Sequence, residues 1–321
     1  MTLAEIYEPI EKDLGRVEKN LRSISEIEYP HLSELLSYIL IGGKGIRPAL
    51  TLLSGKFYNY GFDRLLPMAS AVELLHIATL VHDDAIDKSE VRRGRATINS
   101  LWDEERAILL GDYLFAKAGE FAASTQNLRA ITLFSQTLQI ISSGELNQIF
   151  NAFNPEQTRD DYMKRISSKT ASLFLLATES GAVLSQAPEE SVEVLKEYGF
   201  NLGIAFQIID DILDFIGSEE EMGKPIGSDL TQGTLTLPAM LLLEHHPDDN
   251  PVKRMFQESE DREKNVKLAI EMVRNSKIVE QCYDIASGYC NKACQHLLLL
   301  PDKASHQALL KLSDYVITRK R

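Results

Sequence analysis

The sequence predicts an all-α fold of about ten to thirteen helices. Apolar residues recur every three or four positions along most of the chain, which is typical of helices that bury one face. Runs with strand-like alternation are almost absent. The chain has 321 residues, 44% of them hydrophobic and 25% charged, so it can bury a large core. Because no stretch has the composition of a linker, we expect a single domain over residues 1–321.

The predicted helices follow one another from the N-terminus. Residues 3–24 carry one apolar face, and residues 32–40 repeat the pattern until Gly42 and Gly43 end it. The most polar stretch, 245–265, is interpreted as a solvated connection between helices. The same pattern continues through the C-terminal third to Tyr315. The other apolar-rich segments are 67–82, 106–123, 130–150, 169–184, 191–216 and 235–244.

Composition narrows the class of protein. The net charge of −13 argues against nucleic acid as a partner, because phosphate binding needs a basic surface. The N-terminus lacks the basic and apolar regions of a signal peptide, and no apolar run approaches the ~20 residues of a membrane-spanning helix. We therefore expect a cytoplasmic protein without a transmembrane segment. Cys282, Cys290 and Cys294 are interpreted as buried free thiols.

One acidic motif occurs twice, each time after an apolar helical stretch. The first and last aspartates of each copy share a helix face, because residues i and i+4 are neighbours. A single copy is more often a solvated helix face. Two copies on hydrophobic helices instead favour a site for Mg²⁺ and diphosphate, since carboxylates buried there need a partner and oxygen-only clusters suit this ion. The copies are Asp83, Asp84 and Asp87, and Asp210, Asp211 and Asp214.

Basic residues accompany these clusters. Each alone is more often a surface cation, and the motif around Lys44 is weak by itself because Gly-Lys turns are common. As a set around two metal clusters they describe a site for two diphosphates. They are Lys44, Arg47, Arg92, Arg93, Lys169 and Lys224.

These motifs resemble those of the trans-isoprenyl diphosphate synthases, also called polyprenyl synthetases. The resemblance implies a single helical domain around a central cavity, usually a homodimer. It also implies an enzyme that joins isopentenyl diphosphate to an allylic diphosphate with about three Mg²⁺ ions. The matching motifs lie between residues 41 and 238, in the family's order. They are GGKGIRP, HIATLVHDDAIDKSEVRRGRAT, GDYLFAKA, GELNQ, KTASLF, GIAFQIIDDILDF and GKPIGSDLTQGTLTLP. The end of the chain, ALLKLSDYVITRKR, also resembles the family's C-terminus.

The resemblance assigns a role to each site residue. Asp83 and Asp87 would bind two Mg²⁺ ions and Asp210 a third, with the other aspartates binding through water or supporting these ligands. His76 alone would more often be a core residue, but it lies nearly on the face of Asp83. The allylic diphosphate ligands would be Arg92, Lys169 and Lys224; the isopentenyl diphosphate ligands Lys44, Arg47, His76 and Arg93; and Thr170 and Gln207 would face the allylic cation.

Two positions depart from the family pattern. Gly45 and Thr234 stand where basic residues are common, so one diphosphate contact at each place is in doubt. Product length in the family depends on residues four and five positions before the first aspartate, here Thr79 and Ala78. Because both are small, we expect a long-chain product, hexaprenyl to decaprenyl. The alternatives are a farnesyl or geranylgeranyl diphosphate synthase, a terpene cyclase, and a non-catalytic subunit of a heteromeric synthase.

Overall fold

Helices make up almost all of the regular structure in the computed structural model, which describes residues 2–92, 94–218, 225–248, 250–257 and 261–319. Thirteen of the helices in these ranges have eight or more residues, which confirms the predicted fold class. The strands in the described part of the chain form one short antiparallel hairpin, β1 Val91–Arg92 and β2 Arg95–Ala96, in which Arg92 lies opposite Arg95.

The N-terminal half contributes the helices that carry the first aspartate cluster. Its long central helix packs against both the fourth and the seventh helices. The helices are α1 Leu3–Tyr7, α2 Glu11–Arg22, α3 Pro30–Ile39, α4 Ile46–Gly55, α5 Phe62–Ile86, α6 Ile98–Leu101, α7 Glu104–Ser124 and α8 Leu128–Phe150.

The C-terminal half carries the second cluster on its longest helix. A five-residue π-helical segment, Ser167–Ala171, joins the first two helices of this half without a break. The helices are α9 Arg159–Ile166, α10 Ser172–Leu184, α11 Glu189–Ile216, α12 Ser228–Thr231, α13 Leu237–His245, α14 Pro251–Gln257, α15 Arg262–Arg274, α16 Ile278–Leu297 and α17 Ala304–Thr318.

Two hydrophobic cores meet along α11. The first half of this helix, with Leu195 and Leu202, packs into a core shared with α4, α5 and α10. The second half, with Ile208 and Ile212, packs into a core shared with α13 to α16. The first aspartate cluster ends α5 in one core, and the second lies on the part of α11 that belongs to the other. The candidate site therefore lies where the two cores adjoin.

Three details differ from the sequence-based expectation. The apolar face of residues 3–24 is buried as predicted, but Pro9 falls in a 3₁₀ turn, Glu8–Ile10, that separates α1 from α2. The interpretation of 245–265 as a solvated connection is wrong in part, because α14 buries Val252 and Met255 there. The helix predicted from residue 67 begins at Phe62, since an apolar face extends before Pro67.

The expectation that no apolar run approaches membrane-spanning length also needs a correction. The helix α5, with 25 residues, is long and apolar enough to cross a membrane by length and composition. Most of its apolar window is buried inside the bundle, where it packs against α7 and α4. The helix is thus apolar because it forms part of the core. Cys282 and Cys290 are buried free thiols as predicted, and Cys294 is half-buried.

Candidate active site

The first aspartate cluster closes the C-terminal end of α5. Asp83 lies on the last turn, and Asp87 caps the helix and keeps its side chain exposed. Asp84 turns inward and is buried. The hairpin that follows brings Arg92 back onto it, with Nε 2.6 Å from Asp84 Oδ1. In this structure the predicted allylic-diphosphate ligand Arg92 therefore forms an ion pair with a cluster carboxylate.

The second cluster is more deeply set. Asp211 and Asp214 are 2% and 1% exposed. Asp211 accepts hydrogen bonds of 2.8 Å each from the Tyr162 hydroxyl and the Gln207 amide. Asp214 accepts one from the Ser228 hydroxyl at 3.1 Å. These donors satisfy carboxylates that would otherwise be costly to bury.

Asp210 has a different kind of partner from its neighbours. Its Oδ1 accepts a hydrogen bond of 2.6 Å from the guanidinium of Arg319, which follows the last turn of α17. The side chain of Asp210 is 15% exposed and that of Arg319 is 2% exposed. The second cluster is thus completed by a residue more than a hundred positions away in the sequence.

The π-helical segment Ser167–Ala171 lies between α8 and α11, and two motif glycines make room for it. A Cβ on Gly144 would lie 2.6 Å from Ser168 Cβ, and one on Gly203 would lie 2.6 Å from Ala171 Cα. Such distances exclude a side chain at either glycine without displacing the segment. Close approach on both sides fixes the position of Lys169 and Thr170, and π-helical turns are frequent at functional sites.

Lys169 and Thr170 connect the helices that carry the two clusters. The ammonium of Lys169 lies 3.2 Å from Asp83 and 2.8 Å from Glu145 on α8. Burial lowers the pKa of Lys169, but the two carboxylates outweigh this effect and raise it, so the side chain stays charged. Thr170 donates to Gln207 at 2.5 Å, and Gln207 in turn donates to Asp211. Lys169 and Thr170 are neighbours along the backbone, so the two sets of contacts together form a polar chain from Asp83 to Asp211.

The carboxylate of Asp229 acts electrostatically on a residue of each cluster. Although Asp87 is exposed, the protein around it partly desolvates the carboxylate and so raises its pKa. Burial raises the pKa of Asp211 to about 7, and the carboxylate of Asp229 adds to the rise at both. Its backbone N–H also lies 3.4 Å from Asp214. Asp229 therefore lies within electrostatic reach of both predicted clusters.

The predicted isopentenyl diphosphate ligands are less closely gathered. Lys44 is exposed, with its Nζ 5.8 Å from the centre of the Tyr315 ring, and Arg47 lies 5.1 Å from that of Phe174. His76 is half-buried on α5, two turns before Asp83. Arg93 and Lys224 lie outside the residues that the structure describes.

At both positions that depart from the family pattern, Gly45 and Thr234, the backbone conformation or a backbone hydrogen bond defines the local structure. Gly45 has a φ of +58°, so the turn into α4 uses a left-handed conformation that favours glycine over a basic residue. Thr234 is half-buried, and its backbone N–H donates to the carbonyl of Asp229 at 2.9 Å. The loop after α12 is therefore fastened to the site by its backbone.

The two predicted chain-length residues differ in accessibility. Ala78 is completely buried on α5, whereas Thr79 is half-buried and lies on the face of Asp83, with its hydroxyl bonded to the carbonyl of His76 at 2.8 Å. His82, next to Asp83, contacts the carbonyl of Ile108 at 2.9 Å. A Cβ on Gly111 would lie 2.1 Å from the ring of His82.

The donor set fits Mg²⁺ that keeps part of its water shell. Among the described residues, no three acidic, histidine or cysteine side chains converge on one point. Mg²⁺ does not need such a cage, since it is bound through one or two carboxylates together with water and phosphate oxygens. Three aspartates, Asp83, Asp84 and Asp210, each already contact a cationic side chain. These carboxylates therefore already bind cationic groups, as magnesium ligands must bind a cation.

Several residues of this site were missed by the sequence-based interpretation. Glu145 lies in the quoted GELNQ motif and Asp229 in the GSDL motif, so their positions were available but not their partners. Tyr162 lies outside every quoted motif, whereas Arg319 lies in the C-terminal stretch that resembles the family's end. Nothing along the chain indicates that Arg319 reaches Asp210, because that contact depends on how α17 packs against α11.

The part of the chain that carries the quoted motifs between residues 41 and 238 also matches a known protein family. The model of the polyprenyl synthetase family matches residues 29–273. The chain belongs to this family. The matched segment contains both aspartate clusters and the π-helical segment, and it ends before α16 and α17. Arg319 therefore lies beyond the part that the family model covers.

Relatives of this polyprenyl synthetase share its length as well as its motifs. "Heptaprenyl diphosphate synthase component 2" of Bacillus subtilis is 36% identical, over 98% of this chain and 90% of that protein. The crystal structure of heptaprenyl diphosphate synthase from Staphylococcus aureus has a TM-score of 0.92 at 36% identity and covers 97% of this chain and 98% of the other. That of a decaprenyl diphosphate synthase from Rhodobacter capsulatus has a TM-score of 0.91 at 35% identity, with 100% of both chains covered.

Proposed function

We propose that this polyprenyl synthetase condenses isopentenyl diphosphate head-to-tail with an allylic diphosphate, in a Mg²⁺-dependent reaction that gives a long-chain all-trans polyprenyl diphosphate. The observation that carries the proposal is the polar chain from Asp83 through Lys169, Thr170 and Gln207 to Asp211. It joins two carboxylate clusters around a half-buried lysine, and this arrangement suits a diphosphate held between cations.

The chain's own residues would bind and orient the two substrates. Lys169 would hold the allylic diphosphate, aimed by Glu145 on its other side, and Arg92 would add a second charge from the hairpin. Bound Mg²⁺ would neutralise the diphosphate as a leaving group. Thr170 and Gln207 would present oxygens to the allylic cation, and the apolar walls of α5 and α11 would exclude water that could trap it. The departing diphosphate would accept the proton lost at the end.

A long-chain product is favoured over the shorter alternatives by the small residues upstream of the first cluster. Ala78 and Thr79 leave no bulky side chain beneath Asp83 on α5. The relatives named above are heptaprenyl and decaprenyl diphosphate synthases, which supports the same choice. A terpene cyclase would have no use for the isopentenyl ligands, and complete aspartate clusters argue against a non-catalytic subunit.

The partner that we propose is a second copy of the chain, in the cytoplasm. Large apolar side chains are exposed on the outward surfaces of α7 and α8, where burial against a copy would remove them from water. Leu109 is 67% exposed and Phe150 is 84% exposed. A Leu109→Glu or Phe150→Glu variant should lower the native mass. The relative called "component 2" makes an unlike subunit the alternative outcome, in which the purified chain would be monomeric.

The decisive test uses the purified protein alone. It is incubated with Mg²⁺, isopentenyl diphosphate and farnesyl or geranylgeranyl diphosphate, and the products are identified by mass spectrometry. We expect prenyl diphosphates of six to ten isoprene units, and none when Mg²⁺ is chelated. A cyclised hydrocarbon would contradict the condensation, a product of four units would contradict the long-chain assignment, and no product would favour an obligatory second subunit.

A further inference from the structure

The end of α17 delivers Arg319 to the second aspartate cluster. Its guanidinium donates to Oδ1 of Asp210 at 2.6 Å and to the carbonyl of Phe206 at 2.7 Å. Its Cζ also lies 3.6 Å from the centre of the Phe206 ring. Two of these three contacts are to Phe206, one helical turn before Asp210. They fix the guanidinium against α11 independently of the carboxylate.

The surroundings make this anchor rigid. The ring of Phe206 lies 5.0 Å from that of Phe174 on α10, centre to centre. Arg319 is 2% exposed, while the carboxylate that it contacts is 15% exposed. An arginine stays charged under all physiological conditions, and its planar fork binds in a fixed direction. The arginine therefore determines where Oδ1 of Asp210 lies.

Burial separates Arg319 from the other cations of the site. Lys169 and Arg92 contact Asp83 and Asp84, but their side chains remain 32% and 38% exposed. They can therefore reach both a carboxylate and a substrate in the cleft. At 2% exposure Arg319 has no such access. Its guanidinium therefore contacts the carboxylate and is not accessible to a diphosphate in the cleft.

We propose that Arg319 is a positioning residue for the second metal site, which fixes Asp210 in the orientation that binds a divalent cation. The proposal rests on the function proposed above. A carboxylate has two oxygens and about four lone-pair sites, so a hydrogen bond to Oδ1 leaves capacity for a cation. A ligand that is already fixed binds more tightly, because no side-chain rotation is lost on binding.

The test measures metal binding directly. Free Mn²⁺ is followed by electron paramagnetic resonance as the protein is titrated in the presence of inorganic pyrophosphate. We expect Arg319→Gln to weaken Mn²⁺ binding about tenfold, since losing a partner of a metal ligand costs about 10- to 100-fold in affinity. The matched control is Arg274→Gln. It removes a guanidinium from the carbonyls of Phe215 and Gly217 at the end of α11, the helix that also carries Asp210. It should leave Mn²⁺ affinity within about twofold of wild type.

Two further variants separate positioning from a general loss of structure. Arg319→Lys keeps the charge without the fork, so it should bind Mn²⁺ with intermediate affinity and carries the test if the glutamine variant does not fold. In an Asp210→Asn background, Arg319→Gln should cause no further loss, because the two residues act as one unit.

Four outcomes would overturn the proposal. Unchanged Mn²⁺ affinity with a raised KM for isopentenyl diphosphate would place Arg319 at the substrate. Tighter Mn²⁺ binding in Arg319→Gln would make the arginine a competitor of the metal. An equal loss in Arg274→Gln would make the effect a general one. A wild-type protein that binds no Mn²⁺ would overturn the proposed metal site itself, and this inference with it.

Discussion

The two aspartate clusters have the same spacing in the sequence but different surroundings in the fold. The first ends a helix, exposes Asp87 and contacts the half-exposed cations Lys169 and Arg92. The second lies within a helix and buries Asp211 and Asp214. The charged partners of the first cluster are partly exposed and can turn towards a substrate. The second cluster is held in the scaffold by neutral donors at Asp211 and Asp214 and by the buried Arg319 at Asp210. The same sequence motif thus forms one side of the site where contacts can rearrange and another side where the carboxylates are fixed.

The largest difference should come from neutralising one carboxylate in each cluster. Asp83→Asn should fold normally but lower kcat about 10²- to 10³-fold, since it removes a charge that acts on the leaving group. Asp214→Asn should instead cost about 1–3 kcal/mol of stability, because its amide would face the donors of Ser228 and Asp229. Steady-state kinetics and urea unfolding would measure the two effects. Equal effects of the two variants on stability would contradict the distinction.

The segment between the clusters should be sensitive to a single methyl group. Gly203→Ala places a Cβ 2.6 Å from Ala171, and we expect it to cost about 1–3 kcal/mol through overpacking and to lower kcat by displacing Thr170. Gly288→Ala on α16 is the control, since a Cβ there meets nothing within 4 Å. It should stabilise the protein by up to about 1 kcal/mol. If both variants were stabilised, close packing would not hold the segment in place.

The clusters also differ in the side chains that precede them. Ala78 and Thr79 precede Asp83, whereas Ala205 and Phe206 occupy the same positions before Asp210. At the second cluster Phe206 already fills the space four residues before the first aspartate. The growing chain should therefore extend beneath the first cluster. We expect Ala78→Phe to shorten the product by several isoprene units, and Ala78→Val to shorten it less. Product masses would show this gradation, and an unchanged distribution with Ala78→Phe would refute it.

The smallest effect concerns the pH dependence of stability without metal. The pKa of Asp211 is raised from its ordinary 3.8 to about 7 by burial. The folded state therefore holds this proton between pH 4 and 7 while the unfolded state releases it, so the contribution of this group to stability falls as pH rises through that window. Asp211→Asn should make the dependence flatter.

Unfolding in EDTA from pH 5 to 8 would measure this slope. Asp284→Asn, an exposed aspartate on α16, serves as the control and should follow wild type. A slope in Asp211→Asn as steep as that of wild type would show that the group does not titrate in this range.

Sequence reasoning captured whatever depends on local spacing. The apolar periodicity predicted the helices, and the i, i+4 rule placed Asp83 beside Asp87. It could not show that Asp84 forms an ion pair with Arg92, because the hairpin turn decides that contact. It missed α14, whose apolar positions are masked by polar neighbours in the sequence. Arg319 was out of reach because its contact with Asp210 joins segments 109 residues apart.

The π-helical turn at Ser167–Ala171 has a consequence for how this region tolerates insertions and deletions. Its backbone bond from Ser172 N–H to Ser167 spans five residues where an α-helix spans four, so the segment contains one residue in excess. Deleting one residue there would leave an uninterrupted α-helix from α9 into α10. Successive residues of an α-helix are rotated by about 100° around the helix axis. The deletion would therefore rotate Lys169 relative to α10 and carry its ammonium away from Asp83 and Glu145. The length of this helix, counted to the single residue, is part of the chemistry of the site.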